Sequence, residues 1–287
     1  MKIVANIAVR DEAELIGPNI EYHLSIGFHG IVIANICSTD GTTQLLEKYK
    51  NHPQVIVIPV PTQDNSVFNW NEALLKTSKE IYQPDFIAHF DADEFLYSPS
   101  HEFLASEEFA HDTLAVKLFN CVSCLMDDFR VPGSMAEIDG LTVVKRPMTT
   151  HFNQRKNTHK IPWIYTQVGP KTICKANKLD MFVDGGHAAL DSNRNVIQGK
   201  VAEGFAFIHL PITSYNRFLN KVKNIESLID FLFERTSEDY AFHWKDWAMV
   251  YRESGEQGVH DLYLQQVKAA TETKLANCLA KSIDCLA

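Results

Sequence analysis

Between residues 2 and about 120 the chain alternates short β-branched, apolar runs with stretches of helical spacing, and this alternation limits the fold more than any other feature. Strands are predicted at residues 3–9 (IVANIAV), 31–36 (IVIANI), 55–60 (VIVIPV) and 85–90 (DFIAHF). Helices are predicted between them at 18–26, 42–49 and 69–77, the first with Pro18 in its opening turn and Gly27 at its end. Runs that are apolar throughout suit strands covered on both faces, and helical connections return the chain to add the next strand in parallel. The expected fold class is α/β: a mainly parallel sheet flanked by helices.

The middle of the chain, 120–200, is rich in Gly, Pro, Asn and His, as binding loops often are. Strand candidates lie at 115–119, 141–144, 171–174 and 205–209. From residue 215 the pattern becomes helical: Phe218, Leu219, Val222, Ile225, Leu228, Ile229, Leu232 and Phe233 recur at helix spacing, with Lys221, Lys223, Glu226 and Asp230 between them. The expected division is a sheet domain over 1–214 and a helical C-terminal extension over 215–287, with no further strand.

A chain of 287 residues buries roughly three quarters of its unfolded surface, so neither disulfides nor a structural metal are needed. A net charge of −9 argues against a broad nucleic-acid face. The six cysteines are scattered, and Cys121-x-x-Cys124 has no second pair to complete a zinc pattern, so reduced thiols in a cytoplasmic protein are expected. The apolar opening run is too short for a signal segment, and no apolar run reaches eighteen residues. The expected setting is the cytoplasm, with at most peripheral contact at the inner face of a membrane.

The sharpest chemical feature is His89-Phe90-Asp91-Ala92-Asp93-Glu94-Phe95-Leu96. A buried strand runs straight into three carboxylates, at the strand end where open α/β sheets bind ligands. In an extended chain Asp91 and Asp93 would project to the same side. Like charges so close require a cation or another partner, and hard oxygen ligands of this kind suit Mg²⁺ or Mn²⁺. The plainer alternative is a solvated acidic turn with Asp93 or Glu94 capping a helix.

Four segments, in order, resemble glycosyltransferases of the GT-A fold, close to the family-2-like group. They are Ala8-Val9-Arg10-Asp11-Glu12-Ala13, Cys37-Ser38-Thr39-Asp40-Gly41-Thr42, Asn69-Trp70-Asn71-Glu72-Ala73-Leu74 and Phe90-Asp91-Ala92-Asp93-Glu94-Phe95-Leu96. A weaker echo continues in Gly169-Pro170-Lys171-Thr172-Ile173, Gly185-Gly186-His187 and Ile208-His209-Leu210. The resemblance implies a Rossmann-like GT-A sheet, a nucleotide-sugar donor (a UDP-sugar first), and a saccharide or lipid-linked acceptor in surface polysaccharide or lipopolysaccharide assembly. It places Arg10, Glu12 and Asp40 around the nucleotide base, with Asn71 a weaker donor-site candidate and Lys171 a diphosphate contact. By the same resemblance Asp93 would hold the metal directly and Asp91 would reach ribose or metal through water. His209 is the first choice for a histidine ligand and His187 the second.

An inverting reaction needs a general base. Asp184 is the leading candidate, ahead of Asp127, Asp128, Glu137 and Asp139, although the Glu-Asp pair usual in the family is not evident. Residue-level alternatives remain for several positions: Asp40 as a helix cap, Asn69 with Glu72 as a capping box, and Lys171 as a surface lysine. Phe242, Trp244 and Trp247 are read as packing residues, with sugar stacking as the second possibility. The rival functions are a nucleotidyltransferase, which residues 3–16 disfavour by lacking a Gly-rich phosphate loop, and a non-catalytic sugar- or protein-binding domain.

Overall fold

Strands β1 (Ile3–Val9), β2 (Gly30–Ile36), β3 (Val55–Val60) and β4 (Phe86–His89) run parallel in the spatial order β3-β2-β1-β4. The computed structural model of the chain describes residues 1–150, 162–230 and 242–286. Beyond β4 the sheet becomes mixed. Strand β11 (Lys171–Lys175) lies antiparallel between β4 and β6 (Thr113–Val116), and β14 (Lys200–Val201) pairs parallel to β6 at the edge. The protein is thus a mixed α/β fold with a mainly parallel central sheet flanked by helices.

Why the strands are apolar throughout follows from their packing. Ile3, Ala5 and Ile7 of β1 join one core with Ile31 and Ile33, while Val4 joins the opposite layer with Val32 and Ala34. Helix α1 (Ile16–Ser25) covers the first face through Ile16 and Ile20, and α3 (Trp70–Thr77) covers the second through Leu74. Each fully buried Val or Ile contributes about 1.5–3 kcal/mol, so neither face tolerates a polar alternation. Asn6 is the exception inside β1, and its side-chain oxygen accepts the Ser78 hydroxyl. The short α2 (Thr42–Leu46) follows β2.

A second, three-stranded sheet sets up the site. Strand β15 (Ala206–His209) lies between β5 (Glu94–Tyr97), to which it is antiparallel, and β7 (Leu118–Asn120), to which it is parallel. This register puts His209 opposite both Glu94 and Asn120. Two-stranded pairs complete the sheet structure: β9 (Thr149–Thr150) with β10 (Thr166–Gln167), β12 (Met181–Val183) with β13 (Ala188–Leu190), and β8 (Thr142–Val144) with β16 (Leu279–Lys281).

The short α4 (Met135–Asp139) precedes β8, and the C-terminal part is carried by α5 (Tyr215–Glu226) and α6 (Phe242–Thr271), the latter broken at Gly255. Phe218, Leu219, Val222, Trp247 and Val259 from these helices belong to the same core as β1 and β2. The expected absence of a strand in the tail does not hold. Leu279–Lys281 finds its partner in β8, far away in sequence, and so lacks a local pattern. Similarly, the run predicted at 115–119 divides into β6 and β7 around Lys117, because its halves serve different sheets. Leu232 and Phe233 of the predicted helical stripe lie outside the described residues. Among the described residues, no helix is long and apolar enough to cross a membrane.

Candidate functional site

Strand β4 stops at His89, and residues 91–94 form a turn closed by Glu94 N–H donating to the Asp91 carbonyl at 3.1 Å. Asp91 and Asp93 are therefore not neighbours along one face of an extended chain, as the alternation predicted. The chain has to leave the large sheet and enter the three-stranded one as β5, and the turn that does this separates the two carboxylates. Asp91 meets Lys171, and Asp93 meets Arg217 and Lys221.

Asp91, half-exposed at 49%, pairs with Lys171 Nζ at 2.9 Å. Lys171 is 1% exposed, so the surface-lysine alternative is ruled out; its ammonium also contacts Glu94 Oε2 at 3.1 Å and the Gly185 carbonyl at 2.7 Å. Three acceptors match the three N–H bonds of an ammonium. Burial acts to lower the Lys171 pKa, but Asp91 and Glu94 outweigh it and hold the group charged. Glu94 is pushed up to about 8, chiefly by burial, with Asp91 and Asp93 adding to the effect and Lys171 opposing it. Its Oε2 also accepts the Asp91 N–H at 2.9 Å.

The Gly185-Gly186 pair makes this contact possible. Gly186 has φ +89°, and a Cβ there would stand 2.3 Å from the His89 carbonyl oxygen, so only glycine allows the loop to press against the end of β4. Asp184 begins the same turn (Asp184–Gly186); its side chain lies outside the described residues.

Asp93 is buried and faces helix α5. Its Oδ2 accepts Arg217 Nη2 at 2.6 Å and Lys221 Nζ at 2.7 Å. Arg217 also donates through Nε and Nη2 to Glu12 at 2.7 and 3.0 Å, and through Nη1 to the carbonyls of Leu210 and Pro211 at 3.2 and 3.0 Å. All five guanidinium N–H bonds are thereby used. Burial would raise the Asp93 pKa, but Lys221, His209 and Arg217 together hold its carboxyl well below the usual range. One turn farther along α5, Asn224 Nδ2 donates to Asp11 Oδ2 at 2.8 Å. The sequence pattern assigns no site residue to α5, whereas Arg217, Lys221 and Asn224 line one face of it at i, i+4 and i+7. Polar and charged residues spaced like that beside the apolar stripe are the available clue.

His209 completes the cluster. The Asn120 amide donates to the carbonyls of Ile164 and Thr166 at 3.0 and 3.1 Å, which fixes its Oδ1 as the acceptor for His209 Nδ1–H at 2.8 Å. The other ring nitrogen, Nε2, lies 3.6 Å from Asp93 Oδ2 and is the atom left to meet a metal. Ligand atoms of Asp93, Glu94 and His209 all lie within 4.8 Å of one another. Two carboxylates and an oriented imidazole are a fitting donor set for Mn²⁺ or Mg²⁺. His187 lies outside this group, with Nδ1 on the Pro170 carbonyl at 2.8 Å.

Other expected positions sit around the cluster or away from it. Glu12 is 8% exposed and tied to Arg217 rather than open to a base pocket. Arg10 Nη1 donates to Gln63 at 2.7 Å, and burial lowers its pKa. Asp40 braces its own loop, accepting from Thr42 N–H at 2.9 Å and Ala13 N–H at 3.0 Å. Asp11 gathers the same loop through Thr39 and Asp40 N–H at 2.5 and 3.1 Å. Asn71 lies in the first turn of α3, where Asn69 accepts the Glu72 N–H at 3.2 Å as the cap, and no contact among the described residues joins Asn71 to the carboxylates. Asp139 is held by Tyr97 and His101, and Asp127 and Asp128 are exposed. Trp247 is 7% exposed and packs edge-on against Phe218, while Trp244 lies under Lys221 at 5.4 Å. The Phe242 side chain lies outside the described residues.

No protein-family model matches the sequence, and no curated protein matches it. Among solved structures, S. aureus TarS residues 1–349 in complex with UDP-GlcNAc is similar with a TM-score of 0.44 and 18% identity, covering 100% of this chain and 89% of that one. The mannosyltransferase PcManGT from Pyrobaculum calidifontis, in complex with GDP-Man and Mn²⁺, gives 0.37 and 11% over 96% of this chain and 77% of that one. These likenesses are distant, and the chemistry has to be read from this chain's own residues.

Proposed function

We propose that this protein is a metal-dependent glycosyltransferase that takes its sugar from a nucleotide-sugar donor, a UDP-sugar first. The observation that carries the reading is the pairing of Asp93 and Glu94 with an oriented His209 at the carboxyl end of β4, beside buried cations from two other elements. Such a place suits a diphosphate and its divalent ion, since open α/β sheets bind ligands at the carboxyl ends of their strands. Asp93, Glu94 and His209 would hold Mn²⁺ or Mg²⁺, with the half-exposed Asp91 reaching it through water or touching the ribose. When bound, the ion supplies Lewis-acid neutralisation of charge on a departing nucleoside diphosphate.

The remaining residues organise the site. Lys171 keeps Asp91, and Arg217 helps to keep Asp93, ionised and fixed, so that little reorganisation is needed as charge develops. Asp11 and Asp40 hold the loop after β2 in the shape expected of a base-binding wall, with Arg10 beside it. For the acceptor proton we assign Asp184 as the first candidate base, supported by its position next to the Lys171 carbonyl ligand Gly185. An inverting reaction on a saccharide or lipid-linked acceptor, in surface polysaccharide assembly, is the fuller form of this proposal.

The test is release of nucleoside diphosphate from a panel of UDP-, GDP- and CMP-sugars with Mn²⁺, using wild type and Asp91→Asn. Turnover of one donor, lost in the variant and in EDTA, supports the reading. Stoichiometric binding of a sugar without turnover of any donor would favour a binding domain instead.

A further inference from the structure

Three cations face the four carboxylates of the cluster, and they differ in what they have left to give. Lys171 spends three N–H bonds on three acceptors and is 1% exposed. Arg217 spends all five on Glu12, Asp93 and two carbonyls and is 3% exposed. Among the described residues Lys221 makes a single hydrogen bond, to Asp93 Oδ2 at 2.7 Å; Glu12 Oε1 at 3.7 Å is too far for a second. Its side chain is 26% exposed, and its ammonium lies over the Trp244 ring at 5.4 Å. An aromatic face attracts a cation without consuming its N–H bonds or fixing its direction.

We infer that Lys221 is the cation that binds the donor's diphosphate, turning from Asp93 to the phosphate oxygens when the nucleotide arrives. The inference rests on the nucleotide-sugar reading above and adds the residue that contacts the leaving group. It has a second consequence. In the nucleotide-free protein Lys221 and a divalent ion compete for Asp93 Oδ2, so nucleotide and metal each promote binding of the other. Arg217 is a positioning residue here, because it keeps Asp93 in place whichever cation Oδ2 faces. The Lys221 ammonium loses one charge-assisted partner and gains another, whereas a neutral side chain offers the phosphate none.

Calorimetric titration of UDP and GDP, with and without Mn²⁺, on wild type, Lys221→Met and Lys221→Arg tests this. The expected result for Lys221→Met is nucleotide binding weakened about 10-fold or more, the scale of one hydrogen bond to a charged group, with binding of Mn²⁺ alone unchanged or tighter. Lys221→Arg should recover most of the nucleotide affinity. If Lys221→Met does not fold, Lys221→Gln serves the same comparison, with melting curves as the control. Nucleotide affinity within twofold of wild type in the folded neutral variant overturns the inference while leaving the nucleotide-sugar reading intact. No nucleotide binding to wild type under any metal condition overturns both.

Discussion

Arg217 bridges Glu12 and Asp93, with Nη2 lying 3.0 Å from Glu12 Oε1 and 2.6 Å from Asp93 Oδ2. A residue of the C-terminal helical segment thus ties the end of β1 to the turn after β4, across 205 and 124 positions of sequence. Removing it leaves two carboxylates, each at most 10% exposed, with Lys221 the one lysine or arginine paired with them among the described residues. Arg217→Met should lower stability by about 3–5 kcal/mol, as breaking one side of a buried ion pair does. Urea unfolding measures this, and Arg217→Lys should lose less. An unchanged midpoint for Arg217→Met would mean that the bridge holds nothing together.

The Gly186 backbone presses on β4. With φ +89° and a would-be Cβ at 2.3 Å from the His89 carbonyl, Gly186→Ala has no relaxed conformation. The expected cost is about 2–5 kcal/mol from strain and local displacement. Because Gly185 accepts from Lys171, nucleotide binding should fall along with stability. Thermal melts and a nucleotide titration on the same preparation check both.

Acid sensitivity has an identifiable source away from the carboxylates. His23 is fully buried, and its Nε2 accepts the Leu96 N–H at 3.2 Å while Nδ1 lies 2.9 Å from the Asn19 carbonyl, so the ring is neutral and donates from Nδ1. Burial pushes its pKa down to about 3, against a reference of 6.5. A depressed histidine gives stability that is complete above the unfolded pKa and is lost as pH falls toward the folded one. Between pH 6.5 and 3 the contribution should therefore drop by at most about 1.4 kcal/mol per pH unit. Urea midpoints measured from pH 7 to 4.5 should fall less steeply in His23→Gln than in wild type; parallel slopes would contradict the assignment.

Asn120 tests the histidine end of the cluster. Its amide, anchored on two carbonyls, fixes the His209 ring through Nδ1 at 2.8 Å. Losing an outer partner of this type commonly weakens a metal site about 10- to 100-fold. Asn120→Ala should accordingly weaken Mn²⁺ binding, followed by the electron paramagnetic resonance of free Mn²⁺. Equal affinity would remove His209 from the proposed ligand set.

The parts of this molecule legible in sequence are those built from local pattern. Strands β1 to β4 announce themselves because each is mostly apolar along its length, a direct consequence of cores on both faces. Asp91 and Asp93 stand out because they directly follow such a strand. Their partners do not, since Lys171 is 80 residues from Asp91 and Lys221 is 128 from Asp93, and only tertiary packing joins them. The same holds for β16, whose partner β8 lies far back in the chain. The turn at 91–94 is hidden from the sequence for a related reason: whether a chain runs on straight depends on which sheet the next strand must enter.

The proposed function requires the cluster around Asp93 to bind a nucleoside diphosphate together with a divalent ion. It is tested most directly by calorimetric titration of UDP, GDP and CMP into wild type and Asp93→Asn, first with Mn²⁺ and then with EDTA. One nucleotide should bind in Mn²⁺, and its binding should collapse both in EDTA and in the variant. Nucleotide binding that is unaffected by EDTA and by Asp93→Asn, or no binding at all, would contradict it.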